Sequence, residues 1–346
     1  MQVNENIHSD IHIWRFTIML KAAMLSKWHV HAEGYARELQ NSGKVEIKAV
    51  WDEDAARGAE WAGRIGADFE ADLDTLLARE DIEAVFCCTP TTMHTEVLIK
   101  AAKAGKHIFT EKALAPTVAE CMQIKEAVDA AGVTFAISYP QRGRGMVKFA
   151  KKMLDEGAFG RVTNVRMRDA HSGVSNHWLP AYWFEKKDAA GGAMMDLGCH
   201  PMYILAYLLG KPKRICGMFS APFGTQVDEN AVSVIEFENG AIGVAETGFV
   251  SYNSPQTLEI YGTEGTLIAH GEGDVKFTSK KLEGMVNGFI TPALPKNNPA
   301  PIMQFVDACI NGTGSPADLG MEDAIALTEL LENSYIADEK NEIVKL

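Results

Sequence analysis

Residues 45–65, VEIKAVWDEDAARGAEWAGRI, contain a short β-rich run followed directly by a helical pattern. Val45–Trp51 predicts a strand, and Ala55–Ile65 predicts the helix after it. The same alternation extends in both directions, from about residue 16 to residue 140. It predicts a parallel, doubly wound sheet with helices on both faces, which is the architecture of a Rossmann domain.

Neighbouring elements follow from the same apolar runs, helical spacing and closing glycines. Further strands are expected at 16–20, 84–88, 107–110 and 134–138, and further helices at 28–41, 73–79, 96–104 and 117–131. Beyond residue 140 a helix at 146–156 precedes seven strand-like runs between 162 and 279, with Asn239-Gly240 at a hairpin turn. Helices at 301–310 and 321–337 follow. Successive strands predict an α+β domain with a large, mostly antiparallel open sheet.

We therefore predict an α/β fold in three parts. An N-terminal extension at 1–15 precedes a Rossmann dinucleotide-binding domain at 16–140. An α+β domain for substrate binding and oligomerisation occupies 141–346, and its terminal helices could pack back on the first domain. An open sheet of long strands can pair subunits, so we expect a homodimer or homotetramer.

Composition argues against several classes of partner. The 346 residues carry a net charge of −13, which disfavours nucleic acid and anionic membrane surfaces. The six cysteines form no C-x-x-C pair, as is typical of reduced thiols in a cytoplasmic protein. No apolar run is long enough to span a bilayer, and residues 1–15 lack the features of a signal peptide.

The segment after the first predicted strand lacks the glycines expected in a dinucleotide-binding domain. Rossmann domains hold the cofactor's diphosphate on a G-x-G-x-x-G loop, whereas residues 21–26 read KAAMLS. The residues that could still contact a phosphate there are Ala23, Met24, Leu25 and Ser26. The nearby His29-Val30-His31 keeps a second interpretation open, the His-x-His metal site of a hydrolase.

Polar groups at the carboxyl ends of three predicted strands lie where open α/β sheets bind ligands. Asp52 ends the second strand and is placed to bind the adenosine ribose, which favours NAD over NADP. Thr89-Pro90 follows the strand at 84–88, where the threonine can bond a cofactor and the proline can shape its wall. Glu111-Lys112 follows the strand at 107–110, and charges leaving a buried strand need partners or a ligand.

The segment AAGGAMMDLGCHPMYILAYLLG, residues 189–210, is the most informative part of the second half. Asp196 and His200 are four residues apart, so on a helix they share one face. An acid that orients an imidazole beside a substrate hydroxyl is a general acid–base device. Gly191-Gly192 allow a ligand to approach the backbone closely.

Three motifs together point to one family. They are T-P-x3-H from Thr89 to His94, E-K-x-L-A from Glu111 to Ala115, and G-G-x3-D-x-G-x-H from Gly191 to His200. In their order and spacing the chain resembles the glucose–fructose oxidoreductase / inositol dehydrogenase (Gfo/Idh/MocA) family over about residues 16–340. The resemblance implies an NAD(P)-dependent oxidoreductase that acts on sugars or polyols and needs no metal.

The resemblance also implies roles for individual residues. His200 would take the proton of a substrate hydroxyl while a hydride leaves the same carbon for the nicotinamide. Lys112 would hold that hydroxyl and stabilise negative charge on its oxygen, and Asp196 would fix the imidazole of His200. Residues expected to line the cofactor, besides Lys112, are Thr89, Pro90, His94 and Glu111.

Aromatic and hydrogen-bonding residues near the start of the second domain suit a sugar, which has an apolar ring face and a polar edge. The candidates for substrate binding are Tyr139, Arg142, His171, Trp178 and Tyr182, together with His200.

Two alternatives stay open. A non-catalytic relative that senses sugars or nucleotides would explain the missing glycines, because a fold does not fix a function. A metal-dependent hydrolase built on His29 and His31 would need barrel-like βα alternation throughout, which the strand-rich second half does not show.

Overall fold

Six parallel strands form the first sheet of the computed structural model, which describes residues 19–282 and 288–346. The strands are β1 (Leu20–Leu25), β2 (Val45–Trp51), β3 (Asp68–Phe69), β4 (Ala84–Cys87), β5 (His107–Thr110) and β6 (Phe135–Ile137). Their order is β3-β2-β1-β4-β5-β6, which reverses direction between β1 and β4, the position where doubly wound sheets bind ligands. The predicted Rossmann-type sheet is confirmed.

The helices of this half begin and end at residues suited to those positions. They are α1 (Ala32–Ser42), α2 (Ala55–Ile65), α3 (Leu73–Leu77), α4 (His94–Lys103) and α5 (Val118–Ala131). The carboxylate of Asp54 caps α2 by accepting the amide protons of Ala56 and Arg57, and Gly66 ends it with φ 73°. A capping box of Thr117 and Glu120 starts α5.

The first strand lies further along the chain than predicted. β1 runs from Leu20 to Leu25, through the residues that the glycine pattern placed in a phosphate-binding loop. Ala22, Ala23, Met24 and Leu25 are completely buried between β2 and β4, as expected for a central parallel strand. The predicted strand at 16–20 and the extension at 1–15 lie mostly or wholly outside the described residues.

A mixed sheet of eight strands forms the second half. The strands are β7 (Val162–Ala170), β8 (Pro212–Ser220), β9 (Asn230–Phe237), β10 (Ile242–Gly248), β11 (Thr257–Gly262), β12 (Gly265–His270), β13 (Val275–Ser279) and β14 (Val344–Lys345). Their order is β13-β12-β11-β7-β10-β9-β8-β14, and only β7 and β10 pair in parallel among these strands. The mostly antiparallel sheet is as predicted, including the β9–β10 hairpin.

Six further helices cover this sheet or return to the first domain. They are α6 (Gly145–Asp155), α7 (Lys186–Ala189), α8 (Ala193–Asp196), α9 (Cys199–Leu209), α10 (Pro301–Asn311) and α11 (Met321–Lys340). α9 and α11 pack on the inner face of the second sheet, whereas Phe305 of α10 contacts Phe86 and Phe109 of the first sheet. Among the helices described, none combines the length and apolarity needed to cross a bilayer.

Candidate active site

A buried ion pair joins the carboxyl end of β5 to the short helix α8. Lys112 Nζ donates to Asp196 Oδ1 at 2.5 Å and to the Asp196 backbone carbonyl at 2.8 Å. Burial opposes the charged form of each group, but their attraction prevails. The pKa of Lys112 is raised, and that of Asp196 is lowered to about 2. Both groups are therefore charged at neutral pH.

His200 lies on α9 and is a neutral imidazole at neutral pH. Burial first, and then the charge of Lys112, lowers its pKa to about 3. Its Nδ1 lies 2.8 Å from the hydroxyl oxygen of Tyr203, one turn further along the helix. Within the described residues no hydrogen bond links His200 to Asp196. In this structure Tyr203 contacts the imidazole, and its orientation by Asp196 stays a prediction.

Gly198 explains why Asp196 and His200 do not act on one helical face. α8 ends at Asp196 and α9 begins at Cys199, so the spacing of four does not lie on one continuous helix. A side chain at Gly198 would meet the backbone oxygen of Met194 at 2.7 Å, so only glycine permits this close turn. The Asp196 carboxylate bonds Lys112 instead.

Glu111 is fully buried and its carboxylate is bound by residues from the start of α1. Its Oε1 accepts the hydroxyl of Tyr35 at 2.5 Å and lies 2.8 Å from His31 Nδ1 and 3.7 Å from His29 Nδ1. The sequence placed Glu111 beside the nicotinamide, whereas the structure surrounds it with a tyrosine and two histidines from an element 80 residues away.

The loop between β1 and α1 consists of residues 26–31, SKWHVH, and has no amide pattern suited to a phosphate. Ser26 takes the left-handed conformation, with φ 69°, which favours glycine over residues with side chains. Five amides of the loop are already bonded, namely Ser26 to Trp51, Lys27 to Asp52, Trp28 to Ser26, His29 to Cys88 and His31 to His29. Ala23, Met24 and Leu25 belong to β1 rather than to this loop, and the phosphate contacts expected of them stay a prediction.

Trp28 is buried beside the amino end of α1, the end of the helix at which Rossmann domains bind the cofactor's diphosphate. Its indole stacks on Trp183, with ring centroids 4.5 Å apart and planes 14° apart, and its carbonyl accepts the hydroxyl of Tyr182 at 3.2 Å. The cavity enclosed by Trp28, Trp183, His29 and the ion pair measures about 10 Å³, which is room for about one water. In this arrangement the loop does not fit the diphosphate of NAD.

Asp52 has no acceptor site left for a ribose. Its Oδ2 accepts the amide of Lys27 at 2.8 Å and Arg57 Nε at 3.1 Å, and its Oδ1 accepts the amide of Asp54 at 2.8 Å and Arg57 Nη2 at 2.6 Å. A carboxylate offers about four lone-pair positions, so these four donors satisfy it. The predicted ribose contact is not available here, because Arg57 and the loop occupy it.

The Thr-Pro motif after β4 is structural in this arrangement. Thr89 and Pro90 are buried, and the hydroxyl of Thr89 lies 3.2 Å from the thiol of Cys87. Both ring nitrogens of His94 face backbone carbonyls, Nδ1 those of Ala113 and Leu114 and Nε2 that of Thr89. His94 thus ties two loops together, and neither nitrogen is available to a cofactor.

Two of the predicted substrate residues bind other parts of the protein. Arg142 Nη1 bonds the carboxylate of Asp323 and the carbonyl of Asp318, and the Tyr139 hydroxyl donates to the carbonyl of Asp323 at 3.3 Å. Tyr139 also stacks on Tyr203 at 4.2 Å. In this structure both residues bind the start of α11 and the turn before it, and their contact with a sugar stays a prediction.

The remaining candidates lie on the segment between β7 and α7. His171 stacks on Phe249 at 5.1 Å and lies under Trp178 at 4.7 Å, while Trp178 is half exposed. Burial lowers the pKa of His171. An exposed indole beside a neutral imidazole is the kind of surface that stacks on a sugar ring.

Sequence reasoning missed four residues of this region. They are Trp28, Tyr35, Tyr203 and Asp169. Tyr35 and Tyr203 follow His31 and His200 by four and three residues, a helical spacing that could have suggested them as partners. Trp28 carries no such local signal, since its partner Trp183 is distant in the chain.

Two family models and many known proteins match the chain. Residues 29–139 match "Oxidoreductase family, NAD-binding Rossmann fold", and residues 147–268 match "GFO/IDH/MocA C-terminal domain". The chain is 29% identical over 253 residues to levoglucosan dehydrogenase of Pseudarthrobacter phenanthrenivorans, which covers 65% of each protein, just under two thirds. It is 25% identical to 1,5-anhydro-D-fructose reductase of Ensifer adhaerens, over 81% of this chain and 85% of that one.

A solved structure of such a relative also resembles this chain over nearly its whole length. Levoglucosan dehydrogenase in complex with NADH superposes with a TM-score of 0.80 at 26% identity, covering 94% of this chain and 98% of that one. These matches confirm the resemblance that the three motifs suggested, and with it NAD as the cofactor of the family.

Proposed function

Because the chain belongs to the Gfo/Idh/MocA family of NAD-binding oxidoreductases, we propose that it oxidises or reduces a sugar or polyol at a carbon that bears a hydroxyl group. The observation that carries this function is the buried Lys112–Asp196 pair at the junction of the two domains, with a neutral His200 nearby. A cation and an uncharged base side by side can bind a hydroxyl and accept its proton.

Each of the three residues has a distinct role in this proposal. Lys112 holds the substrate oxygen and stabilises negative charge on it, since Asp196 keeps the ammonium charged and fixed. In the tautomer that carries its proton on Nδ1, His200 donates to the Tyr203 hydroxyl 2.8 Å away, and the lone pair of Nε2 accepts the hydroxyl proton of the substrate. Burial raises the pKa of Tyr203 well above its usual value, so its hydroxyl stays neutral and acts only by positioning His200.

Bound NAD would supply the hydride acceptor or donor in this family. The described loop does not fit its diphosphate, because Trp28 lies against Trp183 and the loop amides are bonded. Binding NAD therefore requires the segment 26–31 to leave this position. We derive no further step through the cofactor.

The buried position of Trp28 and the bonded amides of the loop favour a second candidate function. A relative that kept the fold but lost dinucleotide binding would need no glycine loop and would tolerate Trp28 in this place. The hydrolase alternative fails in its original form, because the chain folds as an open Rossmann sheet and a mixed sheet rather than as a barrel.

Nicotinamide binding and turnover separate the two candidates. We would titrate NAD and NADH by calorimetry and follow nicotinamide absorbance over a panel of sugars, anhydrosugars and polyols. The oxidoreductase predicts turnover with at least one of them. It also predicts that Lys112→Met lowers kcat/KM by about 100-fold or more, while His270→Gln on the exposed end of β12 changes nothing. A folded protein that binds neither dinucleotide contradicts the oxidoreductase and supports the second candidate.

A further inference from the structure

The pair Gly191-Gly192 lies against two residues from other elements of the second domain, Tyr335 on α11 and Asp228 just before β9. A Cβ atom on Gly191 would be 2.3 Å from the hydroxyl oxygen of Tyr335, and one on Gly192 would be 2.0 Å from the backbone oxygen of Asp228. Only glycine permits approaches this close. From the sequence we expected the two glycines to admit a ligand, whereas in the structure they admit Tyr335 and Asp228.

Asp228 and Tyr335 together bind the amides at the start of α8. The carboxylate of Asp228 accepts the amide protons of Gly192 at 2.8 Å and Met194 at 2.7 Å. The hydroxyl oxygen of Tyr335 lies 3.1 Å from the amide nitrogens of Met195 and Gly192 and accepts from both. A helix leaves the amides of its first turn without partners of its own, so these two side chains fix the position of that turn.

Tyr335 and Asp228 are also bonded to each other. The Tyr335 hydroxyl donates to Asp228 Oδ1 at 2.7 Å. Burial, and then the charge of Asp228, raises the pKa of Tyr335 well above its usual value, so the hydroxyl keeps this proton. It donates one hydrogen bond and accepts two, which is its full capacity. The hydroxyl is therefore suited to holding α8 rather than to binding a ligand.

The helix that the pair holds is a single turn, and its last residue is Asp196. The amide of Asp196 donates to the carbonyl of Gly192 at 3.0 Å, so one helical hydrogen bond joins the held end of α8 to the active site. Asp196 in turn accepts Lys112 Nζ through both its carboxylate and its backbone carbonyl. Charge-assisted hydrogen bonds depend on distance and angle, so a shift at the start of α8 would weaken this ion pair.

The helix that carries Tyr335 also reaches the other side of the site. Asp323, in the first turn of α11, accepts the guanidinium of Arg142 with its carboxylate and the hydroxyl of Tyr139 with its carbonyl. Tyr139 stacks on Tyr203, which contacts His200. α11 therefore supports the imidazole side of the site as well as α8.

We propose that Asp228 and Tyr335 are positioning residues of the oxidoreductase, which hold α8 so that Asp196 keeps Lys112 charged and in place. The inference rests on the proposed function for its effect on turnover. The state of the ion pair can nevertheless be measured without turnover, so the two proposals can fail separately.

The first experiment follows the ionisation of Lys112 in the full chain by nuclear magnetic resonance of isotope-labelled lysine, with Lys112→Met to identify the signal. We expect this lysine to lose its proton at a pH about one unit lower or more in Tyr335→Phe and in Asp228→Asn, because a displaced carboxylate stabilises the ammonium less. Tyr335→Phe changes no charge, so it isolates the effect of position. Asp338→Asn is the matched control and should titrate as the wild type does, because Asp338 also lies on α11 but accepts the amide of Phe219.

Steady-state kinetics give the second readout. We expect Tyr335→Phe to lower kcat by about tenfold with KM nearly unchanged, and to move the alkaline fall of kcat/KM to lower pH. In an Asp196→Asn background the same change should have no further effect, because no carboxylate is left to position.

Two results would overturn the inference. One is an unchanged titration of Lys112 in both folded variants, and the other is a full tenfold loss from Tyr335→Phe in the Asp196→Asn background. If Asp228→Asn does not fold, Tyr335→Phe decides alone, because it keeps the ring that packs on Phe219. A wild type that turns over no sugar or polyol, with the expected titration of Lys112 in the variants, would count only against the proposed function.

Discussion

The indoles of Trp28 and Trp183 stack with their centroids 4.5 Å apart and their planes 14° apart. One ring comes from the loop after β1 and the other from the segment before α7, so the pair closes the junction between the domains. Trp28 is 4% exposed and occupies the side of the sheet where Rossmann domains bind the cofactor's diphosphate.

Removing the Trp28 indole should make room for the dinucleotide beside the amino end of α1. We expect Trp28→Ala to raise the affinity for NADH by about tenfold, since the space filled by the indole becomes free. The same change should lower the free energy of unfolding by about 3 kcal/mol, because it leaves a cavity. Calorimetry and urea denaturation measure the two effects. Trp178→Ala, which removes a half-exposed indole, is the control for both, and unchanged NADH affinity in Trp28→Ala would show that the ring is not the obstacle.

The hydroxyl of Tyr203 should affect turnover only by orienting the imidazole of His200. Tyr203→Phe removes the partner of Nδ1 at 2.8 Å and keeps the ring that stacks on Tyr139. We expect kcat to fall by about tenfold with KM nearly unchanged, because substrate contacts stay in place while the imidazole loses its orientation. Steady-state kinetics test this, with Tyr207→Phe on the same helix as control. A rise in KM without a change in kcat would place Tyr203 in substrate binding instead.

Stability should depend on pH through Asp169. Burial raises the pKa of this carboxyl from 3.8 to about 6, and Gln256 donates to it at 2.8 Å. Between about pH 4 and pH 6 the folded chain holds a proton that the unfolded chain has lost, so stability falls as the pH rises through this window.

Asp169→Asn should remove that dependence. We expect it to raise the free energy of unfolding at pH 8 by up to about 3 kcal/mol and to have little effect at pH 4. Urea denaturation at both values measures the difference, with Asp155→Asn on exposed α6 as control. A destabilised variant at pH 8 would show that the ionised carboxylate makes a favourable contact in the folded state.

The outer face of the second sheet should pair subunits, an expectation from the sequence that stays a prediction. Exposed apolar side chains on this face include Met218, at 79% exposed, together with Val234 and Tyr261. A charge placed there would be buried in a dimer at high cost. Light scattering after size exclusion should show Val234→Glu as a monomer and the wild type as a dimer or tetramer. Met122→Glu on α5 is the control, and a monomeric wild type would contradict the prediction.

Local patterns in the sequence determined the architecture. Val45–Trp51, Ala55–Ile65 and Val275–Ser279 occur as predicted, because β-rich runs, helical spacing and capping residues act within a few positions of one another. Lys112, Asp196 and His200 also lie in one region of the fold, as the three motifs implied. These features depend on short-range chemistry or on motif order, both of which are readable along the chain.

Only the tertiary structure decided the partners within the site. β1 began later than expected because the burial of Ala22 to Leu25 depends on β2 and β4, which periodicity in one segment does not report. The same holds for the pairing of Asp196 with Lys112, of His200 with Tyr203, and of Glu111 with two histidines 80 residues away. Those contacts form when separate elements pack together, and a local sequence pattern does not indicate which side chains of distant elements will be in contact.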